Sequence, residues 1–488
     1  MLTRFKVNGF KNLLDVDIYF GPFTCIAGAN GIGKSNLFDA ITFLGSLASK
    51  TFLEAAQGVR DEQGRTGDVR NLFHRTGERY CDRIDFEAEM IIPSEGKDDL
   101  GQKAIATSTF LAYNLSIGYR GPNSSSFLGP IELLKEELTY IRKGEASAHI
   151  LFENDLKWRK LVTAGKQDSH RTSPFLSTEE QNGQRIVRVH QDGGSKGRPI
   201  PLDAAGLPRT VLSSINAAEG PTITLARQEL RSWRLLQLEP SKMRTPDLFD
   251  DPKKIGADGS HLAATLHRVA LQRGASQAEN VYSELTNKLA SLIEDVRSVT
   301  VDADERVRRY TLQVQQKDGT RLPAMALSDG TLRFLALAIY DLDPDATGVI
   351  CLEEPENGIH PERIPAILDL IKGIAVDPNE PAGVDNPLRQ VIINTHSPAV
   401  VAGIDGEDLV VAGVVEDVHE IERLWFRKPV FRALKDTWRH KRAHTEPTPL
   451  GSLFPYLGLY KPEKRDAKSL RVRDREDLQE LINWEKPA

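Results

Sequence analysis

The octapeptide Gly28-Ala29-Asn30-Gly31-Ile32-Gly33-Lys34-Ser35 constrains this chain more than any other stretch. Its spacing, G-x-x-x-x-G-K-[ST], sets glycines where the backbone must turn with successive N–H groups facing inward, a geometry that cradles phosphate oxygens. Lys34 is placed to reach the β- and γ-phosphates of a nucleoside triphosphate. The Ser35 hydroxyl is placed to ligate the Mg²⁺ that bridges them. Residues 23–27 read as a short apolar strand entering the turn, and residues 36–44 as the helix leaving it. That helix start turns its partial positive charge toward an anion. Gly28, Asn30, Gly31, Ile32, Gly33, Lys34, Ser35 and Asn36 are therefore the expected ATP contacts.

Composition excludes several classes. The 488 residues are 40% hydrophobic and 27% charged, which is neither a disordered nor a collagenous balance. Apolar runs are too short to span a bilayer. The first residues enter an alternating strand, so no signal peptide is expected. Cys25, Cys81 and Cys351 are far apart, with no metal or disulfide spacing, which fits a reducing cytoplasm. A net charge of −6 gives no global attraction to nucleic acid.

Residues 3–20 alternate as two strands. Between 84 and 190 further alternating segments predict an antiparallel β layer, with the polar stretches 94–103, 163–184 and 191–199 read as mobile loops. Apolar residues three and four apart predict helices over 226–238, 261–271 and 278–296. Residues 307–325 return to strand, with Lys317-Asp318-Gly319 as a hairpin turn. The predicted organisation is an N-terminal lobe (1–205), a helical subdomain (206–300), a C-terminal lobe (301–420) and a basic extension (421–488). Heptads are not sustained, so no long coiled coil is expected.

Three downstream motifs complete the chemistry. Leu327-Ser328-Asp329-Gly330-Thr331 precedes a helix of buried-type residues, with Ser328 or Asp329 as its cap. Val349-Ile350-Cys351-Leu352 reads as a buried strand whose C-terminal end carries Glu353 and Glu354, where open α/β sheets bind ligands. Strand alternation sends the two carboxylates to opposite faces. Glu353 is assigned to the Mg²⁺ shell and Glu354 to orienting the attacking water. Val391-Ile392-Ile393-Asn394-Thr395-His396-Ser397-Pro398 is a second apolar strand with a polar tip, and His396 is assigned to the γ-phosphate.

Taken together, residues 28–35, 327–331, 352–361 and 394–398 resemble the ABC-type ATPase heads of the SMC/RecF/OLD group, and most closely the compact AAA_21 branch. Asn8-Gly9-Phe10-Lys11-Asn12-Leu13, Leu238-Glu239-Pro240 and Asp258-Gly259-Ser260-His261-Leu262-Ala263 add to the resemblance. It implies an α/β P-loop fold of ABC type with a mixed core sheet, an antiparallel β subdomain and a short helical subdomain. It also implies a homodimer or higher homo-oligomer that sandwiches two ATPs, Ser328 and Gly330 acting across the interface and residues 356–361 coupling the sites. Closure on ATP and reopening on hydrolysis would switch DNA or a partner effector such as a nuclease, and such heads occur in antiphage defence and DNA maintenance. Two features depart from the pattern. Glu353 stands where many relatives carry Asp. Asp329 replaces the Gly of transporter heads, though it is usual in this branch; its negative charge near the γ-phosphate would repel, so it is expected to cap its helix and turn away. Gln181, Gln184 and Gln191 are the candidates for a Mg²⁺-sensing glutamine.

Residues 426–475 hold fourteen Lys or Arg against five Asp or Glu, with Arg439-His440-Lys441-Arg442 the densest part, and predict a phosphate-backbone or partner-docking surface. His440 and His444 lack partners at metal-ligand spacing. Other readings are a nucleotide-gated scaffold with little turnover, a transporter ATPase subunit and an overcoming-lysogenization-type nuclease. Ser35 and Ser328 lie nearly 300 positions apart, against the transporter. The residues after His396 carry no convincing acidic cluster, against the nuclease. No membrane partner is expected.

Overall fold

Alternating burial along Leu2–Asn8 leaves Phe5 and Val7 inside and Lys6 and Asn8 facing outward, as a half-covered strand requires. In the computed structural model this strand joins an antiparallel sheet of eight. The order is Ile200–Asp203, Gln184–Val189, Leu176–Gln181, Ile131–Tyr140, Phe110–Tyr119, Arg83–Ile91, Leu2–Asn8 and Val16–Tyr19. Register pairs Phe5 with Ala88, Phe86 with Leu115 and Tyr113 with Leu138, so apolar side chains stack on one face. The structure describes residues 1–59, 68–121, 129–163, 173–192, 198–274, 278–290, 293, 295–418 and 425–457.

The chain forms two compact units. Of the described residues, the first comprises those in Met1–Arg234, Asp377–Ala382 and Val410–Thr448; the second comprises those in Leu235–Val376, Gly383–Leu409 and 449–457. The helix Lys34–Ser46 belongs to the first. It buries Leu37, Phe38, Ile41, Phe43 and Leu44. Phe43 meets Phe10 and Phe86 at ring-centroid distances of 5.7 and 5.9 Å, which pins the helix after the phosphate loop to the large sheet. Each such aromatic pair adds roughly 1 kcal/mol beyond area burial.

The second unit is built on two parallel strands, Gly348–Glu353 and Arg389–Thr395, joined through the helix Ile364–Ile374. Parallel strands covered on both faces read as unbroken apolar runs, and all seven residues of Arg389–Thr395 are buried. Arg389 is accommodated because its guanidinium donates to the carbonyls of Ala346, Asp341 and Asp343. A second small sheet holds Val296–Asp304, Arg309–Gln316 and Arg321–Pro323, with Lys317-Asp318-Gly319 at the expected turn. The longest described helix, Asp329–Leu342, has 14 residues. No described helix is long and apolar enough to cross a membrane.

Several sequence expectations are corrected. Residues 94–103 are not wholly loop: Glu95–Lys97 pairs with Lys103–Ile105. The stretch 163–184 contains the strand Leu176–Gln181, and its residues 164–172 lie outside the described set, as do 193–197. The helix expected at 226–238 runs over Pro221–Arg231, because Pro221 supplies a preset first helical residue. A short strand, Arg234–Leu236, follows it. The helix expected to reach 296 is Ala278–Ala290.

The described part of the basic segment, residues 425–457, is not an appended tail. Trp425–Ala433 pairs antiparallel with Leu409–Val418 within the first unit. Arg439 is 2% exposed; it donates to Tyr19 O and Thr24 Oγ1 and stacks 4.2 Å over the Trp438 ring. Arg442 donates to Leu151 O. Arg439 is thereby spent on the interior and is not free for a phosphate backbone, whereas Arg442 stays exposed. Lys464 and Arg465 lie outside the described residues.

One buried acid ties the large sheet to the chain that follows it. Glu136 is fully buried and accepts from Val211 N, Leu212 N and Tyr113 Oη at 2.7, 2.9 and 3.0 Å. Burial outweighs these donors and pushes its carboxyl up to about 7. The folded state therefore binds this proton more tightly than the unfolded chain. Stability from this group is full below the ordinary carboxyl range and falls as pH rises toward about 7, by roughly 3 kcal/mol. Urea unfolding at pH 5 and pH 8 is expected to show this loss in the wild type, and Glu136→Gln is expected to flatten it. Equal pH slopes in the two proteins would remove the assignment.

Candidate functional site

The residues singled out in the sequence fall into two groups, one in each unit. In the first unit, the strand Phe23–Ala27 is buried at all five positions and delivers the chain to Gly28. The turn ends at Gly33, where the helix Lys34–Ser46 begins. Lys34 is buried, and its Nζ donates to Gly28 O at 2.7 Å and Ala29 O at 2.8 Å, so the ammonium sits inside the curl of its own loop. Ser35 is exposed at the helix start, and no acidic side chain lies in that first turn. Such an end presents unsatisfied N–H groups to an anion.

The loop is buttressed from a place not assigned a role in the sequence. Asn12 Nδ2 donates to Ile32 O at 3.3 Å, and Asn36 Nδ2 donates to Asn12 Oδ1 at 2.8 Å. Lys11 Nζ reaches Asp39 Oδ2 at 2.8 Å. The Asn8–Leu13 turn is thus bonded to the phosphate loop and to the helix leaving it. Its legible signal was the motif itself, whose mechanical purpose only the fold reveals.

In the second unit, Glu353 ends its strand opposite Asn394. Glu354 then leaves strand geometry with φ +44°, so alternation no longer decides where its side chain points. Its N–H is shared between Asn394 O and Asn394 Oδ1, both at 3.1 Å. Asn394 Nδ2 lies 3.4 Å from Glu353 Oε1, so one amide side chain contacts the neighbourhood of both acids. Glu354 accepts from His396 Nδ1 at 2.6 Å and from Asn357 Nδ2 at 2.7 Å. The two residues assigned to hydrolysis are therefore hydrogen-bonded partners, and Asn357 is an addition that the sequence reading lacked. A cleft of about 340 Å³ opens beside them, lined by Leu238, Pro240, Arg333, Glu353, Glu354 and Asn357 among others.

Two positions further on, Glu356 is 7% exposed. It accepts from the Thr395 hydroxyl, which itself accepts from Ser397 N at 2.9 Å. Burial raises its carboxyl above the ordinary range, and the charge of Glu354 adds to the effect.

Ser328 is the cap of the helix Asp329–Leu342: its Oγ accepts from Thr331 N at 3.3 Å. Ser328 and Asp329 are exposed while the body of the helix is buried. Asp329 does not cap the helix; its Oδ1 takes an ion pair from Arg244 Nη2 at 2.5 Å. Gly330 sits against the chain beyond the paired acids, where an added Cβ would stand 3.0 Å from Gly358 O.

Gln181 and Gln184 face each other at the end of the hairpin Leu176–Val189 and are exposed, as is Gln191. Among the described residues one group of metal-ligand types, Asp247, Asp251 and His261, has donor atoms within 4.8 Å of one another. Its atoms serve the fold. Asp247 accepts from His261 Nδ1 and Ala264 N, and Asp251 from Leu248 N, which fixes the start of the helix Leu262–Gln272.

The sequence profile of the AAA_21 family, described as "AAA domain, putative AbiEii toxin, Type IV TA system", matches residues 23–89 and 201–402. The DNA replication and repair protein RecF of Phocaeicola vulgatus is 36% identical over 63 residues, and that of Bacteroides thetaiotaomicron 39% over 64. Each match covers 13% of this chain and spans 17% of the relative's length. Among solved structures, an Smc head bound to the C-winged helix domain of ScpA aligns at TM-score 0.44 and 14% identity, over 89% of this chain and 98% of that one. The Smc head domain bound to the C-terminal domain of ScpA, derived from Pyrococcus furiosus, aligns at 0.42 and 14%, over 89% and 96%.

The loop geometry separates two glycines. Gly31 has φ +78° with nothing within 4 Å of an added Cβ, whereas Gly33 has φ +118° and an added Cβ would lie 2.7 Å from Asn12 Nδ2. Gly31→Ala bears only backbone strain, on the order of 1–2 kcal/mol. Gly33→Ala bears strain and displaces the Asn12 buttress. Titration with a fluorescent ATP analogue is expected to show about tenfold weaker binding for Gly31→Ala and no measurable binding for Gly33→Ala. Equal affinities for the two variants would contradict this geometry.

Proposed function

The chain belongs to the AAA_21 family of nucleotide-binding ATPase domains, and from that premise we propose that it binds ATP with Mg²⁺ and hydrolyses it as a homodimer. The carrying observation is the 2.6 Å pairing of Glu354 with His396 at adjacent tips of two parallel strands. A carboxylate so held can accept a proton from water, and the imidazole beside it can stabilise developing negative charge. Gly28, Asn30, Gly31, Ile32, Gly33, Lys34, Ser35 and Asn36 would hold the phosphates. Ser35 in the first unit and Glu353 in the second each carry an oxygen of the kind a hard divalent cation takes, and each would serve as a Mg²⁺ ligand. When bound, Mg²⁺ neutralises phosphate charge.

The second copy enters through Ser328 and Gly330. These stand at the exposed start of a helix, with N–H groups suited to an anion supplied from outside the subunit. ATP would join two copies and hydrolysis would part them, in the cytoplasm. We read the output as switching a partner effector such as a nuclease in antiphage defence, in keeping with the toxin named in the family's description. A DNA clamp has weaker support, because Arg439, in the densest basic run, is buried and committed to the fold.

ATP turnover and ATP-dependent light scattering test this reading together. Lys34→Ala is expected to abolish nucleotide binding. Glu354→Gln is expected to bind ATP, to accumulate as a dimer and to hydrolyse at least about 10²-fold more slowly. A Ser328→Arg chain mixed with Lys34→Ala should regain turnover, since one composite site survives. Normal hydrolysis by Glu354→Gln would remove Glu354 as the base. Hydrolysis by a persistent monomer would remove the dimer.

A further inference from the structure

Asp329 poses a charge problem under the proposed function. It lies beside Ser328 and Gly330, in the turn that would approach a second subunit's triphosphate, and a carboxylate there repels the γ-phosphate. The structure brings a specific cation to it. Arg244 Nη2 donates to Asp329 Oδ1 at 2.5 Å and to Leu327 O at 3.0 Å, so one guanidinium grips the side chain and the backbone of the same turn.

Arg244 is itself held by the two sequence motifs that the catalytic reading leaves without a task. It ends the short helix Pro240–Met243, whose first residue has a preset φ. The segment leading into that helix is bonded to the Asp258-Gly259-Ser260 turn: Gln237 N donates to Ala257 O at 2.7 Å, and Glu239 N to Asp258 O at 2.9 Å. Gly259 has φ +83°, and an added Cβ would stand 2.8 Å from Met243 Cγ, so the turn is packed against the helix that carries Arg244. A return contact comes from the other side, where Arg333 Nε reaches Leu238 O at 3.4 Å. Leu238-Glu239-Pro240 and Asp258-Gly259-Ser260 thus form a brace whose working end is Arg244.

We propose that Arg244 is the positioning residue of the 327–331 turn, neutralising Asp329 and drawing it aside so that Ser328 and the helix start can face a triphosphate supplied by a second subunit. The inference rests on the homodimeric ATPase reading. Arg244 acts through Asp329 and does not itself touch the nucleotide. Since the proposed role is to neutralise and draw aside Asp329, most of the need for Arg244 should vanish when that charge is removed.

The test is a double-mutant cycle in the full-length protein. Turnover, ATP affinity and thermal midpoint are measured for wild type, Arg244→Ala, Asp329→Gly and the double variant. With Asp329 present, Arg244→Ala is expected to lower kcat about tenfold or more with ATP affinity unchanged. In the Asp329→Gly background the same substitution should cost less than about threefold. Arg244→Lys, a single point charge, should recover only part of the loss because it cannot hold both acceptors. An equal loss in both backgrounds would make Arg244 a mere prop for Leu327 O and overturn the proposal. So would full activity of Arg244→Ala, or a loss of kcat that merely follows a fall in thermal midpoint. A wild-type chain that turns over no ATP would instead remove the functional reading, and this inference with it.

Discussion

Two carboxylates in succession at a strand tip repel each other, and the chain around them is shaped by how each is held. Unit charges about 5 Å apart at an effective dielectric of about 20 repel by roughly 3 kcal/mol. A regular strand would relieve this by sending the pair to opposite faces. The chain instead breaks strand geometry at Glu354, whose φ of +44° is a left-handed conformation that costs a non-glycine residue on the order of 1–2 kcal/mol. What stabilises it is Asn394. Its carbonyl and its side chain both accept from Glu354 N, and its amide nitrogen faces Glu353. Backbone strain at one residue, held in place by one amide, turns Glu354 toward His396 and Asn357. Strain of this kind persists where the surrounding structure over-determines it.

The phosphate loop shows the same economy in another form. Its glycines permit the curl, but glycine leaves a loop free to move unless something holds it. Asn12 supplies the hold by bonding to Ile32 O and Asn36, while the Phe10–Phe43–Phe86 cluster fixes the helix behind the loop. Polar contacts set the loop's shape and apolar contacts set its position.

These particulars explain which features were legible in the sequence. Gly28–Ser35 is a local device: turn, cation and helix start are contiguous, so spacing alone carries them. The buried strands at 348–353 and 389–395 announce themselves through unbroken apolar runs ending in polar residues. Arg439 misled because nothing local distinguishes a solvated arginine from one whose guanidinium is spent on Tyr19 O and Thr24, more than 400 positions earlier. Arg244 was invisible for the same reason, as its partner Asp329 lies 85 positions away. The ribbon at 95–105 was missed because its three-residue strands carry too few apolar positions to show a period. Contiguous chemistry can be read from a sequence, whereas pairing between distant polar residues needs the fold.

Glu356 shows how burial completes the electrostatics of the acid pair. Three carboxyls occur within four positions, and three negative charges at one strand tip would be costly. Glu356 is drawn into the interior, where its Oε1 takes the Thr395 hydroxyl and its Oε2 has no partner among the described residues. An ionised carboxylate with a bare buried oxygen is disfavoured, and the raised carboxyl follows from that burial first and from the charge of Glu354 second. The same side chain still ties residues 354–358 to the end of the strand bearing His396. Its burial therefore disfavours a third charge beside Glu353 and Glu354, while its bond to Thr395 holds the loop that separates them from Gly330.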